Sequence, residues 1–166
     1  MGDGGRLYNG ITHSQVELMR EMVSVADLTF PNYTEACYLT DTSFHPEGTT
    51  WPEACSLLDK LTVLGTHAAV VTSARVDGQT CVIGVQTKGV STSPAYFRLP
   101  YHEIPLSFHG TGDIFSAVLI GHLMNGEALQ ESTQKAMTVV SRLIDRNRDQ
   151  EDKCLGIPIE QCLDLL

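Results

Sequence analysis

Short apolar runs alternate along this chain with longer amphipathic segments, and this alternation is what most limits the folds open to it. Two amphipathic segments open with capping boxes, Thr12-His13-Ser14-Gln15 and Thr50-Trp51-Pro52-Glu53, which predict helix starts. Residues 25–30 and 68–72 are apolar runs typical of buried strands. Helices that alternate with core strands predict an α/β fold with a mostly parallel sheet.

Turn-forming residues predict where several of these elements end. Asn32 is placed to cap a helix that follows the first strand, and Gly65 is placed to stop the helix that starts near Thr50. Asp77-Gly78 is a strong hairpin signal, and residues 81–86 and 94–99 predict further strands beyond it. We therefore expect an antiparallel hairpin added to the sheet.

Two helices are predicted in the last third of the chain. Residues 114–124 are apolar on most sides, which predicts a buried helix that ends at Asn125-Gly126. Residues 129–146 carry a one-sided apolar stripe, which predicts a surface helix.

Composition narrows the class of protein. A chain of 166 residues is expected to form one domain, and its net charge of −9 argues against nucleic acid or an anionic membrane as the main partner. The five cysteines are odd in number and scattered, which favours free thiols in the cytoplasm over disulfides or a zinc site. The longest apolar run is too short to span a bilayer.

The segment Gly110-Thr111-Gly112-Asp113 runs straight into the apolar helix predicted after it. Amides of Gly110, Thr111 and Gly112 at a helix start form an anion site, and Asp113 is placed to accept a proton from an attacking hydroxyl. That chemistry is what phosphoryl transfer requires. The same residues are also consistent with a tight loop that only caps a helix, and the pattern alone leaves both interpretations open.

Other candidate site residues lie where strands are predicted to end. Glu35, one turn after Asn32, is placed either to organise a magnesium ion or to close a helix cap. Thr72 and Ser73 end the predicted inner strand on the side where α/β proteins bind ligands, so they are candidates for nucleotide contacts or for loop hydrogen bonds. Asp3, among glycines in a loop-like opening segment, is a candidate cation ligand or turn residue.

These motifs together resemble those of pyridoxal kinases of the ribokinase-like superfamily. The segments that carry the resemblance occur in the same order and rough spacing, and they are Met1-Gly2-Asp3, Pro31-Asn32-Tyr33-Thr34-Glu35-Ala36, Val71-Thr72-Ser73 and Gly110-Thr111-Gly112-Asp113-Ile114-Phe115. The resemblance implies a three-layer α/β/α sandwich with a mostly parallel sheet. It also implies ATP-dependent phosphorylation of the 5′-hydroxymethyl group of pyridoxal, pyridoxamine or pyridoxine.

The resemblance implies a role for each matching position. Asp113 is the expected general base, and the amides of residues 110–112 are expected to stabilise the transferring phosphoryl group. Asn32 and Glu35 are expected to organise magnesium and phosphates, and Thr72 and Ser73 to line the ATP site. Asp3 is expected near a cation, either Mg²⁺ or a monovalent ion. The family is expected to be cytoplasmic and homodimeric.

The resemblance also implies that residues 1–166 form one incomplete kinase domain. Pyridoxal kinases carry a further N-terminal part before the Met1-Gly2-Asp3 match, and that part supplies most contacts to the vitamin ring. Two alternatives follow for the function. One is a hydroxymethylpyrimidine kinase, which has the same glycine–aspartate site, and the other is a non-catalytic fragment that binds nucleotide.

Overall fold

The computed structural model describes residues 1–87 and 94–166. These residues form two compact units, Met1–His102 and Glu103–Leu166. Among the described residues, no helix combines the length and the apolar character needed to cross a bilayer.

The helices of the first unit begin at the predicted caps. Their bounds are α1 His13–Ser24, α2 Tyr33–Leu39 and α3 Trp51–Val63. Each opens with a capping box, in which the N-cap side chain and the side chain three residues later satisfy backbone N–H groups at the helix start. Gly65, which follows α3, has a φ of 130° that favours glycine, so its predicted role as a helix stop is confirmed.

The main sheet of this unit has four strands. In chain order after the two short strands β1 Gly2–Asp3 and β2 Arg6–Leu7, they are β3 Leu28–Thr29, β4 Ala68–Val76, β5 Gln79–Gln86 and β6 Ala95–Pro100. They lie in the order β3-β4-β5-β6. Asp77 and Gly78 connect β4 to β5 with φ values of 49° and 80°, as a tight hairpin turn requires, which confirms the predicted hairpin.

The strand directions correct one expectation. Only β3 and β4 pair in parallel, extended by parallel bridges from Asn32 to Thr72 and from Thr49 to Val76, whereas β4–β5 and β5–β6 are antiparallel. A mostly parallel sheet is therefore not found among the described strands of this chain. For β4 and β5 the reason is local, because a turn of two residues can join only antiparallel neighbours.

The core of the first unit lies between its helices and the sheet. Leu58 and Leu61 of α3 are fully buried, and so are Val71 of β4 and Ile83 of β5. Each such side chain contributes roughly 1.5–3 kcal/mol by leaving water. This burial anchors α3 on the sheet.

The opening residues form a hairpin where the sequence predicts only a loop. Strand β1 pairs with β2 in antiparallel register around Gly4 and Gly5. Gly5 donates its backbone N–H to Oγ1 of the buried Thr34 at 3.0 Å, so the turn is held against the first turn of α2.

The second unit contains helices α4 Thr111–Met124 and α5 Leu129–Arg146, followed by three short 3₁₀ turns. Phe108, Val139 and Leu143 form its buried cluster with Ile157 and Cys162. The segment after α5 therefore packs back onto the helix pair.

Helix α4 is less buried than its composition predicts. Only Phe115 and Leu119 are buried in it, whereas Ile120 is 45% exposed and Met124 is 82% exposed. A helix that is apolar on most sides has more apolar surface than one neighbouring helix can cover. The prediction of a buried helix is therefore wrong for the described residues.

Candidate active site

The turn before α4 places the predicted glycine–aspartate motif at a helix N-terminus. Gly110 is the N-cap with a φ of 82°, a left-handed conformation that favours glycine. Thr111 donates its hydroxyl to the backbone oxygen of the buried Phe108 at 3.2 Å, which holds the turn against the core of the unit. The next backbone link runs from the N–H of Ile114 to the oxygen of Gly110 at 3.1 Å.

The backbone N–H groups of Thr111 and Gly112 therefore precede the first intrahelical bond. Neither group donates to another residue in the part of the chain that the structure describes. They carry the partial positive charge of the helix start, which favours an anion. The arrangement suits binding of a phosphoryl group.

The side chain of Asp113 is exposed on the first turn of α4. It makes no hydrogen bond and no ion pair with any other residue in the described ranges 1–87 and 94–166. A Cβ added at Gly112 would meet no atom within 4 Å, so the chain itself does not require glycine there. The missing side chain leaves the approach to the helix start open.

His109, next to this motif, contacts the C-terminal segment of the second unit. Its Nδ1 lies 3.1 Å from the backbone oxygen of Cys154, and Gly156 packs against its carbonyl group. This ring links the motif to the C-terminal segment.

Asn32 and Glu35 form the capping box of α2 in the first unit. Oδ1 of Asn32 accepts from the N–H of Glu35 at 2.8 Å, and Oε2 of Glu35 accepts from the N–H of Asn32 at 3.0 Å. Nδ2 of Asn32 also donates to the oxygen of Gly2 at 2.8 Å, so it ties β1 to the helix. These bonds match the interpretation in which Asn32 and Glu35 cap a helix.

The other carboxylate oxygen of Glu35 binds a cationic group. Oε1 lies 2.7 Å from the ammonium of Met1, and the two side chains are 21% and 10% exposed.

Thr72 and Ser73 lie at a bulge in β4. The register with β5 shifts between Val71 and Ala74. The N–H of Thr72 donates to the oxygen of Pro31 at 3.1 Å, which brings Thr72 beside Asn32. Ser73 has a φ of 56°, a strained value that is costly outside glycine and that clusters at binding sites.

In the first unit, the predicted ligand-binding residues Asp3, Ser73 and Glu35 line two different cavities. Asp3 and Ser73 line one of about 170 Å³. Glu35 lines another of about 490 Å³, which is mostly apolar. Within the described ranges, no cluster of three or more His, Cys, Asp or Glu side chains could hold a metal ion. The predicted metal ligands Asp3 and Glu35 therefore do not share a cavity.

The smaller cavity also contains residues for which the sequence analysis predicted no ligand contact. They are Gly4, Tyr33, Thr34, Phe44, His45, Pro46 and Arg75. Burial raises the pKa of Tyr33, one of these residues, to about 12. The sequence could have indicated that Arg75 lies on the same face of β4 as Ser73. The two residues are two positions apart, and side chains at that spacing on a strand share a face.

Comparisons with known proteins agree with this arrangement of motifs. The family model described as phosphomethylpyrimidine kinase matches residues 7–156. A pyridoxal kinase of Arabidopsis thaliana is 30% identical over 99% of this chain and 52% of its own length.

Solved structures also match nearly the whole of this chain and about half of their own length. A candidate phosphomethylpyrimidine kinase of Bacteroides thetaiotaomicron, solved with pyridoxal, is 30% identical with a TM-score of 0.83, over 99% of this chain and 58% of that one. The pyridoxal kinase of Leishmania donovani in complex with ADP and pyridoxamine is 26% identical with a TM-score of 0.76, over 99% and 54%. The resemblance to pyridoxal kinases and the ribokinase-like α/β class are confirmed. The chain spans about half the length of these relatives.

Proposed function

The chain belongs to the phosphomethylpyrimidine kinase family, and we propose that it carries the nucleotide-binding and catalytic part of a vitamin B6 kinase. The proposed reaction is ATP-dependent phosphorylation of the 5′-hydroxymethyl group of pyridoxal, pyridoxamine or pyridoxine. The observation that carries the proposal is the start of α4, where the N–H groups of Thr111 and Gly112 and the carboxylate of Asp113 have no hydrogen-bond partner among the described residues. We further propose that residues 1–166 belong to one kinase domain.

The chemistry follows from the motif. Asp113 takes the proton of the substrate hydroxyl, whose oxygen then attacks the terminal phosphorus of ATP while ADP leaves. The N–H groups of Gly110, Thr111 and Gly112 donate to the phosphoryl oxygens as charge develops on them. The exposure of Asp113 and the open space at Gly112 support this role.

The nucleotide and its magnesium ion fit residues of the first unit. Asp3 offers a carboxylate in the same cavity as Ser73, and magnesium usually takes one or two carboxylates together with phosphate oxygens and water. Thr72, beside Asn32, completes the proposed nucleotide contacts. Glu35 lines the other cavity of the unit, so its predicted role as a second magnesium ligand stays a prediction.

Three further expectations stay predictions. They are a homodimer, a monovalent ion and a cytoplasmic location, the last supported by the five free cysteines of the chain.

Turnover by the full chain tests the proposal. ADP release is measured with pyridoxal, pyridoxamine and hydroxymethylpyrimidine as acceptors. We expect D113N to lower kcat by at least 100-fold, because the amide cannot accept the proton, and to leave ATP binding unchanged. D149N is the matched control, since Asp149 is also exposed in the second unit.

The outcomes separate the alternatives. Preferred use of hydroxymethylpyrimidine assigns the chain to the other kinase activity, which is related to the description of the family model. ATP binding without turnover of any acceptor assigns it to a non-catalytic nucleotide-binding fragment. Equal activity of D113N and the unchanged chain excludes Asp113 as the base.

A further inference from the structure

The small cavity of the first unit has the size and lining of a site for part of a ligand. Its volume is about 170 Å³, below the roughly 300–1,000 Å³ typical of pockets that enclose a whole small molecule. Asp3, His45, Ser73 and Arg75 contribute polar and charged groups to its wall, beside the larger apolar surface of Tyr33, Phe44 and Pro46. A compact group such as a phosphate fits a space of this size.

The bulge in β4 sets which side chains face the cavity. After the register shift, Ala74 is buried on the core side, while Ser73 and Arg75 are exposed and line the cavity. The strained φ of Ser73 thus accompanies the placement of a hydroxyl and a guanidinium on the same wall.

The loop before α3 holds the backbone and stem of Arg75. Its carbonyl oxygen accepts from the N–H of Thr49 at 2.9 Å. Gly48 lies so close that a Cβ there would be 2.5 Å from this oxygen and 3.0 Å from the side-chain Cβ and Cγ of Arg75. The loop therefore fixes where the arginine starts without using its charge.

The charge of Arg75 has no partner in the part of the chain that the structure describes. By contrast, Arg98 pairs with Asp77 at 2.6 Å, and Arg146 pairs with Asp164 at 2.6 and 2.7 Å. A guanidinium presents a planar set of donors that matches phosphate oxygens in pairs.

We propose that Arg75 binds a phosphate of the nucleotide beside Ser73. The inference rests on the proposed kinase function and adds a binding residue to it. The chain carries a net charge of −9, so a polyphosphate needs local positive charge to bind. Arg75 supplies that charge directly, while the carboxylate of Asp3 in the same cavity accounts for the magnesium ion of the proposed site.

Titration of the full chain with Mg²⁺–ADP and with adenosine tests the inference. We expect R75Q to weaken ADP binding about 10- to 30-fold, because charge-assisted bonds to phosphate are lost, and to leave adenosine binding unchanged. R75K, which keeps the charge without the paired donors, is expected to lie between the two. R142Q is the matched control, since Arg142 is exposed on α5 and also without an ion pair among the described residues.

Each result decides between the two proposals. If the unchanged chain binds ADP and R75Q binds it equally well, the inference is wrong and the kinase proposal stands. A parallel loss of adenosine and ADP binding also overturns it, since that loss reflects altered shape. Failure of the unchanged chain to bind ADP overturns the kinase proposal, and the inference with it. If R75Q does not fold, R75K decides: a loss of about threefold or more for ADP alone supports the inference, and no loss overturns it.

Discussion

Gly110 and Gly112 stand two positions apart, and the backbone of the chain requires glycine at only one of them. Gly110 has a φ of 82°, where a side chain costs roughly 1–2 kcal/mol. Gly112 lies in ordinary helical backbone with free space around it. A glycine that neither strain nor packing explains is consistent with the close approach of a ligand.

We therefore expect Gly112→Ala to preserve folding and to lower turnover with ATP and pyridoxal by at least tenfold. The added methyl group stabilises the helix by about 0.5–1 kcal/mol but stands where the phosphoryl group is proposed to bind. Thermal unfolding and steady-state kinetics measure the two effects separately.

Gly121→Ala is the control for this change. Gly121 also lies in α4 with nothing within 4 Å of an added Cβ, and it is remote in sequence from the motif. It should gain the same stability without loss of activity. Unchanged kcat in Gly112→Ala would exclude a ligand at this helix start.

At the scale of elements, the carboxylate of Glu53 closes the capping box at the N-terminus of α3. Oε2 of Glu53 accepts from the N–H and hydroxyl of Thr50, both at 2.8 Å, and from the hydroxyl of Thr49 at 2.9 Å. The hydrogen bonds from Thr50 and then from Thr49 lower the pKa of Glu53 to about 2. A lowered pKa means that the ionised side chain of Glu53 stabilises the folded chain. Because the ordinary value is about 4.5, this contribution is complete above pH 4.5 and is lost as the pH falls toward 2.

We expect Glu53→Gln to lower the melting temperature at pH 6. The difference from the unchanged chain should shrink as the pH falls from 4.5 toward 2, since Glu53 becomes protonated and then resembles the neutral glutamine. Circular dichroism melts across this pH range measure it, and Glu47→Gln, an exposed residue of the preceding loop, is the control. A constant difference down to pH 2 would show that Glu53 acts through something other than its charge.

At the scale of the whole molecule, the five cysteines differ sharply in access. Cys154 is exposed and Cys55 is intermediate, whereas Cys37, Cys81 and Cys162 are buried. Burial raises the pKa of Cys37 to about 11, and it also raises that of Cys81. Since the thiolate is the reactive form, Cys37 and Cys81 are protected from reagents both by their burial and by their raised pKa.

We expect one thiol of the native chain to react rapidly with a disulfide reagent at pH 8, and all five to react after unfolding in guanidinium. Mass spectrometry should place the fast label on Cys154, and Cys154→Ser should abolish the fast phase. Rapid labelling of Cys37 in the folded chain would contradict the burial described for α2.

The amino-acid sequence by itself determined the features that depend on neighbouring residues. The capping boxes at Thr12, Asn32 and Thr50 and the turn at Asp77-Gly78 were predictable, because each uses hydrogen bonds or backbone angles within about four residues. The position of the glycine–aspartate motif at the start of α4 was predictable for the same reason.

Only the tertiary structure decided what depends on residues far apart in the chain. The bulge at Ser73, the cavity that joins it to Asp3 and Arg75, and the separation of Asp3 from Glu35 follow from strand register and packing. The exposure of α4 belongs here too, since an apolar sequence states what a helix could bury but not how much of it neighbouring elements cover.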